Sequence, residues 1–558
     1  MQPVTGSPSQ LSCRFLALAW YPRDQPSDYC QTTGGIPPRC AAFRDQAILS
    51  KGSSTKDTFR NPQANQILAE MSSHPPDRPA LAVIYLTAVF AISAILFTAG
   101  CSGLASSAKS SGPPPTNGYP TPNPGTSGMF FGMNTNSLGD AWPGTIIPLT
   151  SWRSLGSQVK WADIDTQTNG QHVYDFSKLD QWLSQAKGSS TDVLFTVYAT
   201  PSWASSRGSS CTGIPLPKGC LGQPNTGCAF QQQDGPGICD PPIDLACDGT
   251  GSNQTFIDFV TALIQHVGPG TVKYWEIWNE PNVPTEWHGD ADCPNTPHAG
   301  DLMLARMARD LKSIVSTADA KAKFTTPPVG GAGFWVANYL NNTDGGSSAD
   351  IIAFHGYINN GGCPSNCPVA EAVGDEIDNL IKALPPADLG KPIFNTEGSW
   401  GSMRGPNNSI VDSIADPDQQ ASFLARYYLI QMSKQIAKFY WWNWNIPGQS
   451  EFYDSNTKSL NAAGKAYVQL VRWTNGGTAS VGCNANGTVW TCTLKPPSGA
   501  EAEAIWDTSQ TCSAGTCSTV NLGVPPQFNA YLDLAGNTTN LSGASAPVGV
   551  KPILLISQ

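Results

Sequence analysis

The feature that most limits what this chain can fold into is an alternation that runs from residue 129 to residue 473. Eight short apolar or β-branched runs recur there: MFFGMN (129–134), QVKWADI (158–164), VLFTVYA (193–199), VKYWEIWNE (272–280), KFTTPPV (323–329), DIIAFHGY (350–357), KPIFNTE (391–397) and KFYWWNWN (438–445). Longer amphipathic stretches separate most of them, at 176–186, 255–267, 301–318, 369–384 and 417–435. Eight strands alternating with helices predict an α/β chain folded as a (β/α)8 TIM barrel. A doubly wound sheet alternates in the same way, but no glycine-rich phosphate loop follows the first strand. Beyond 473 the texture changes to short strands such as VWTCTL, AEAIWD and NAYLDL, spaced by Gly, Pro, Asn and Ser. Residues 474–558 are therefore expected to form a small C-terminal β-sandwich domain that supports the barrel, with a carbohydrate-binding module as the alternative.

Upstream, residues 80–99 are an apolar run without a charge, followed by Gly100, Cys101 and a Ser/Gly/Pro-rich stretch. The run is long enough for a signal peptide or one membrane span. Apolar run, small residues, cysteine and linker together resemble a bacterial lipoprotein signal, with Cys101 as the lipidated residue and Thr98 departing from the usual leucine. The expected order is a non-native or disordered leader (1–70), a signal peptide starting at Met71 (71–100), a flexible linker (101–128), the barrel (129–473) and the sandwich (474–558). The expected location is the cell envelope, lipid-anchored, or else secreted. The membrane is touched only through this anchor.

Charged residues make up 13% of the chain, about half the usual share, and the net charge is −10. No basic stripe is present, which argues against a nucleic-acid partner and for a neutral ligand. Setting aside Cys13, Cys30, Cys40 and Cys101 leaves an even number of cysteines. In an exported chain these read as disulfides, with Cys363/Cys367, Cys483/Cys492 and Cys512/Cys517 as close pairs. The insertion at 202–251 holds five, Cys211, Cys220, Cys228, Cys239 and Cys247, so Cys293 is expected to take the odd one. No CxxC pair occurs and histidines are few, so neither a zinc site nor any other metal or cofactor is expected.

KYWEIWNEPN (273–282) carries two glutamates, Glu276 and Glu280. Along a strand they lie about 13 Å apart. Glycosidase carboxyls lie about 5–5.5 Å apart when the enzyme retains configuration and about 6.5–9.5 Å apart when it inverts. The pair within the motif fits neither. In a barrel, reacting groups sit at the C-terminal ends of strands. That favours Glu280, which precedes Pro281 and should close strand four, and makes Glu276 a paired structural acid at mid-barrel. The second carboxylate must come from another strand end, and KPIFNTEGSWG offers Glu397 at the end of strand seven.

Asn279-Glu280-Pro281 after one strand, Glu397 closing the seventh, His355-Gly356-Tyr357 after the sixth and a Trp-rich eighth strand resemble the retaining glycoside hydrolases of clan A. These are the (β/α)8 enzymes of families 5, 30, 39 and their relatives. The resemblance covers residues 129–473 and implies Glu280 as general acid/base and Glu397 as nucleophile. It implies Asn279 on the sugar 2-hydroxyl, Tyr357 on the nucleophile and His355 in the same subsite. One of Trp441, Trp442 and Trp444 is expected to be a sugar platform, with Trp441 preferred and Trp203 as a further candidate. Asp163 and Asp165, expected at the end of strand two, are candidate substrate contacts or loop acids. The partner implied is an oligo- or polysaccharide with β linkages, cleaved by a monomer. A non-catalytic glycan-binding lipoprotein and a transglycosylase using the same carboxylates are the alternatives.

Overall fold

The computed structural model describes residues 130–135, 141–206, 237–283, 286–330, 334–358, 369–404, 409–497 and 499–558. The leader, the apolar run, Cys101 and the linker lie outside the described residues, as do Cys211, Cys220, Cys228, Cys363 and Cys367. Among the described residues no helix is long and apolar enough to cross a membrane.

Eight parallel strands form one sheet: β1 (Phe131–Asn134), β2 (Ser151–Arg153), β3 (Asp192–Val197), β4 (Tyr274–Ile277), β5 (Lys323–Phe324), β6 (Ile352–His355), β7 (Ile393–Gly398) and β8 (Lys438–Trp441). Their order is β5-β4-β3-β2-β1-β8-β7-β6. The two ends meet through parallel bridges, Thr325 to Ile351 and Gly330 to His355, so the sheet closes into a barrel. Each strand from β2 onward is followed by a helix: α1 (Ser177–Gly188), α2 (Gln254–Val267), α3 (Ala299–Ala318), α4 (Phe334–Asn342), α5 (Ala372–Ala383), α6 (Pro417–Ser433) and α7 (Ala462–Trp473). After β1 the described residues hold only a 3-10 turn, Pro143–Thr145.

Local chemistry accounts for these elements. In α2, Phe256, Phe259, Val260, Leu263, Ile264 and Val267 recur at helical spacing and are all buried, giving one apolar stripe toward the barrel. At the start of α6 the Asp416 side chain accepts hydrogen bonds from the backbone N–H of Asp418 and Gln419, and Pro417 occupies the first helical position. Every residue of α6 from Gln420 to Ser433 is buried, because the barrel covers one side and the C-terminal sheet the other.

That sheet is antiparallel, in the order Ser480–Asn486, Val489–Lys495, Ala502–Asp507, Ile553–Ile556, Ala530–Leu532, Thr538–Asn540. A ribbon of Thr519–Gly523 and Ser545–Gly549 faces it. Alternation divides the strand Ala502–Asp507 between two cores. Ile505 packs with Val524, Phe528 and Val548 in the sandwich. Ala504 and Trp506 join the core of the barrel. The indole N–H of Trp506 donates to Glu371, which also pairs with Arg426 of α6.

The second strand lies elsewhere than the sequence reading put it. Residues 158–164 are not a strand: Gln158 takes a left-handed conformation (φ 59°) and Trp161–Ile164 is a short helix. β2 is instead Ser151–Arg153. Ser-Trp-Arg is short, with Trp152 its single apolar residue, and the burial of Arg153 is compensated by partners far along the chain, so no apolar run marks it. Asp163 and Asp165 consequently do not close strand two. Asp163 is exposed at the cleft, whereas Asp165 is buried and accepts from the Trp161 indole.

Candidate active site

The pleat of the barrel strands decides which side chains face the axis. On β2, Ser151 and Arg153 point inward and Trp152 packs outward against Trp142 and Trp182. On β4, Glu276 points inward. Arg153 Nε donates to Glu276 Oε1 (2.7 Å) and Thr196 Oγ1 donates to the same oxygen (2.8 Å), with both charges wholly buried. Glu276 is thus the paired structural acid expected of it. Arg153 then reaches upward, donating from Nη1 to Glu397 Oε2 (2.8 Å) and from Nη2 to Asn279 Oδ1 (3.0 Å). Burial opposes the charge of Arg153, but Glu276 and Glu397 outweigh it and hold the guanidinium pKa above its ordinary value.

Glu397 owes its direction to an irregularity in β7. Asn395 faces the helix layer, where its Nδ2 donates to Gln431 Oε1 (2.8 Å) on α6. Strict alternation would turn Glu397 the same way. The register of β7 shifts by one residue between Asn395 and Glu397 against β6, and β8 shows the matching slip between Phe439 and Trp441. This bulge rotates Glu397 to the axis. There Tyr357 donates its hydroxyl to Glu397 Oε1 (2.7 Å), so both carboxylate oxygens accept a hydrogen bond.

Glu280 lies three residues past the end of β4 rather than closing it. Trp278 (φ 64°) and Glu280 (φ 39°) both adopt left-handed conformations, which turn the chain out of the sheet and over the mouth. Its Oε1 is 2.7 Å from His355 Nδ1. Burial raises the Glu280 pKa to about 7, against a lowering influence from Arg153. Burial likewise pushes His355 down to about 4. Between those values the contact is a hydrogen bond between neutral groups, not an ion pair. One atom each of Glu280, His355 and Glu397 lie within 4.8 Å of one another.

The carboxyls open onto a cleft of about 630 Å³ whose walls include Asn279, Glu280, Glu397, Tyr198, Ile238 and Trp442. A larger hollow, about 900 Å³, lies at the other end of the barrel. There Lys273 pairs with Asp192 (3.0 Å) and Asp319 accepts from the Gly270 backbone N–H (2.7 Å), whereas Glu280 and Glu397 line the smaller cleft together, which makes that cleft the candidate site.

Trp441 is corrected by the same pleat. Lys438 and Tyr440 face inward, so Phe439 and Trp441 face the helices; Trp441 is completely buried against Tyr428 and Phe452, and its indole donates to the Ser450 carbonyl. Trp444 is also buried. Trp442, half-buried, is the member of the run that lines the cleft. Trp203 donates to the Asp165 carbonyl and packs edge-on against His172, away from that lining. The insertion does contribute a wall through Ile238, and it is stitched to the loop after β4 by the Cys247–Cys293 disulfide, the bond expected of the odd cysteine. Cys483–Cys492 and Cys512–Cys517 are bonded as expected. Arg153 was missed in the sequence reading. Its only local signal is a basic residue immediately after a tryptophan in an otherwise weak run.

No protein-family model matches the sequence, and no curated protein matches it. Among solved structures, the chain is similar to a GH39 enzyme from Xanthomonas axonopodis pv. citri (13% identity, 78% of this chain and 95% of that one, TM-score 0.49). It is similar to a monomeric beta-xylosidase from Caulobacter crescentus CB15 (14%, 76% and 95%, TM-score 0.49). A family 39 glycoside hydrolase from Bacteroides cellulosilyticus WH2 is a third (14%, 74% and 76%, TM-score 0.48).

Proposed function

We propose that this chain is a retaining glycoside hydrolase that cleaves a β-linked glycan with Glu280 as general acid/base and Glu397 as nucleophile. The observation that carries the reading is that one oxygen of Glu280 and one of Glu397 lie within 4.8 Å of each other, an approach that suits the short carboxyl spacing of a retaining pair better than the wider spacing of an inverting one. In the first step a Glu397 oxygen bonds to the anomeric carbon while the bond to the leaving oxygen breaks, and Glu280 supplies the proton that oxygen takes. In the second, Glu280 removes a proton from water, whose oxygen displaces Glu397. Tyr357 and Arg153 hold the nucleophile by one oxygen each. Asn279, its Oδ1 committed to Arg153, has Nδ2 left to donate to the sugar. Trp442 takes the stacking role first given to Trp441.

A 2-fluoro glycoside with an activated leaving group should label Glu397 covalently, and peptide mapping would locate the label. Label on any other residue, or none in a protein that turns over the parent glycoside, would overturn the assignment. The clustering of Glu280, His355 and Glu397 also suits a cation, so turnover should be measured with EDTA; undiminished activity is expected, and loss restored by a divalent metal would support the metal reading instead. The lipid anchor at Cys101 is proposed from the sequence alone. Radiolabelled palmitate should enter the protein and be absent from Cys101→Ser.

A further inference from the structure

We infer that Asn282 is a positioning residue for the Glu280 carboxyl, acting through Gly330; this rests on the acid/base reading of Glu280. Asn282 closes the stretch KYWEIWNEPN. Its Oδ1 accepts from the Gly330 N–H (3.0 Å) and its Nδ2 donates to the Gly330 carbonyl (2.7 Å). One side-chain amide thus pairs with both polar groups of one residue, as a neighbouring strand would, and ties the loop after β4 to the loop after β5. Gly330 is in turn bridged to His355, whose backbone N–H donates to the Val329 carbonyl (2.7 Å).

Glu280 lies on this seat. A Cβ built on Gly330 would stand 2.7 Å from Glu280 Oε1 and 3.0 Å from its carboxyl carbon, so only a bare Cα lets the carboxyl settle there. His355 Nδ1 holds the same oxygen from the other side. The backbone of Glu280 is itself in a left-handed conformation that a glutamate disfavours. Only Pro281 separates it from Asn282, and the two bonds to Gly330 hold that turn in place. Asn282 therefore fixes both the carboxyl's floor and its tether. A carboxyl released from this seat still ionises but no longer meets the leaving oxygen, and a misplacement of about 1 Å costs on the order of 100-fold in rate.

The test is kcat/KM, which reports the first chemical step, on 2,4-dinitrophenyl and phenyl β-glycosides of whichever sugar is turned over among xylose, glucose, galactose and mannose. The first leaving group needs no proton and the second does. Asn282→Ala and Gly330→Ala should each lose about 10- to 100-fold on the phenyl glycoside and less than about threefold on the dinitrophenyl one, with Asn282→Asp intermediate. Equal losses on both substrates would mean general disruption and overturn the inference, as would no loss in folded variants. Glu280→Ala is the control. If it lacks the leaving-group split, or if none of the four sugars is released from aryl glycosides or polymers, the acid/base reading fails. If Glu280→Ala shows the split and the other variants do not, only the inference fails. Should Asn282→Ala not fold, Gly330→Ala and Asn282→Asp decide the question by the same ratio.

Discussion

Glu280 and Arg153 set the chemistry at the residue scale. Burial raises the Glu280 pKa to about 7, so the protonated acid required for the first step is lost as pH rises through that value. The kcat/KM profile should show an alkaline limb near pH 7, and a limb two units higher would contradict this origin. The same shift acts on stability. A carboxyl whose folded-state pKa lies above its unfolded value contributes stability that is intact below about 4.5 and is lost as pH rises through about 7. Glu280→Gln removes that loss. The variant should therefore match the parent at pH 4 and exceed it at pH 8 by at most about 3 kcal/mol in denaturant unfolding. Arg153 is a different case, a buried cation whose removal strands Glu276. Arg153→Ala is expected to cost about 3–5 kcal/mol, and a variant as stable as the parent would show that the ion pair is not what keeps Glu276 buried.

Seven of the eight strands stand where periodicity put them, at the scale of elements. The eighth, β2, escaped because its meaning is not local. The partners of Arg153 lie 123, 126 and 244 positions away, and without them a charged residue in a three-residue run reads as loop. The bulge in β7 was equally invisible, since it exists only as a register between neighbouring strands. The insertion after β3 gives an element-scale prediction. Its disulfide from Cys247 to Cys293 closes a separation of 46 residues. On the chain-entropy account, replacing both cysteines by alanine should cost about 4 kcal/mol at most. Because Ile238 of this insertion lines the cleft, KM should rise more than kcat falls. An unchanged KM would separate the insertion from substrate binding.

For the whole molecule, barrel and C-terminal sheet share a core through α6. Ser422 donates to the Val550 carbonyl, the Cys483 N–H donates to Ser433, and Trp506 reaches Glu371 across the junction. A chain ending at Trp473 would expose one side of a helix that is buried all round. It is expected to be poorly soluble, with a melting midpoint well below the parent's. A soluble fragment of equal stability would show the sheet to be an independent attachment.

The sequence by itself determined the place of seven of the eight strands, the alternation that makes a barrel, the positions of Glu280 and Glu397 at or just past two strand ends and the structural character of Glu276, because each is written in the spacing of near neighbours. Tertiary structure alone decided which residues form β2, that Arg153 joins Glu276, Glu397 and Asn279, and that Trp442 rather than Trp441 lines the cleft. Those outcomes depend on the phase of the pleat and on partners distant in the chain. Pairing between strands sets both, and local periodicity carries no record of them.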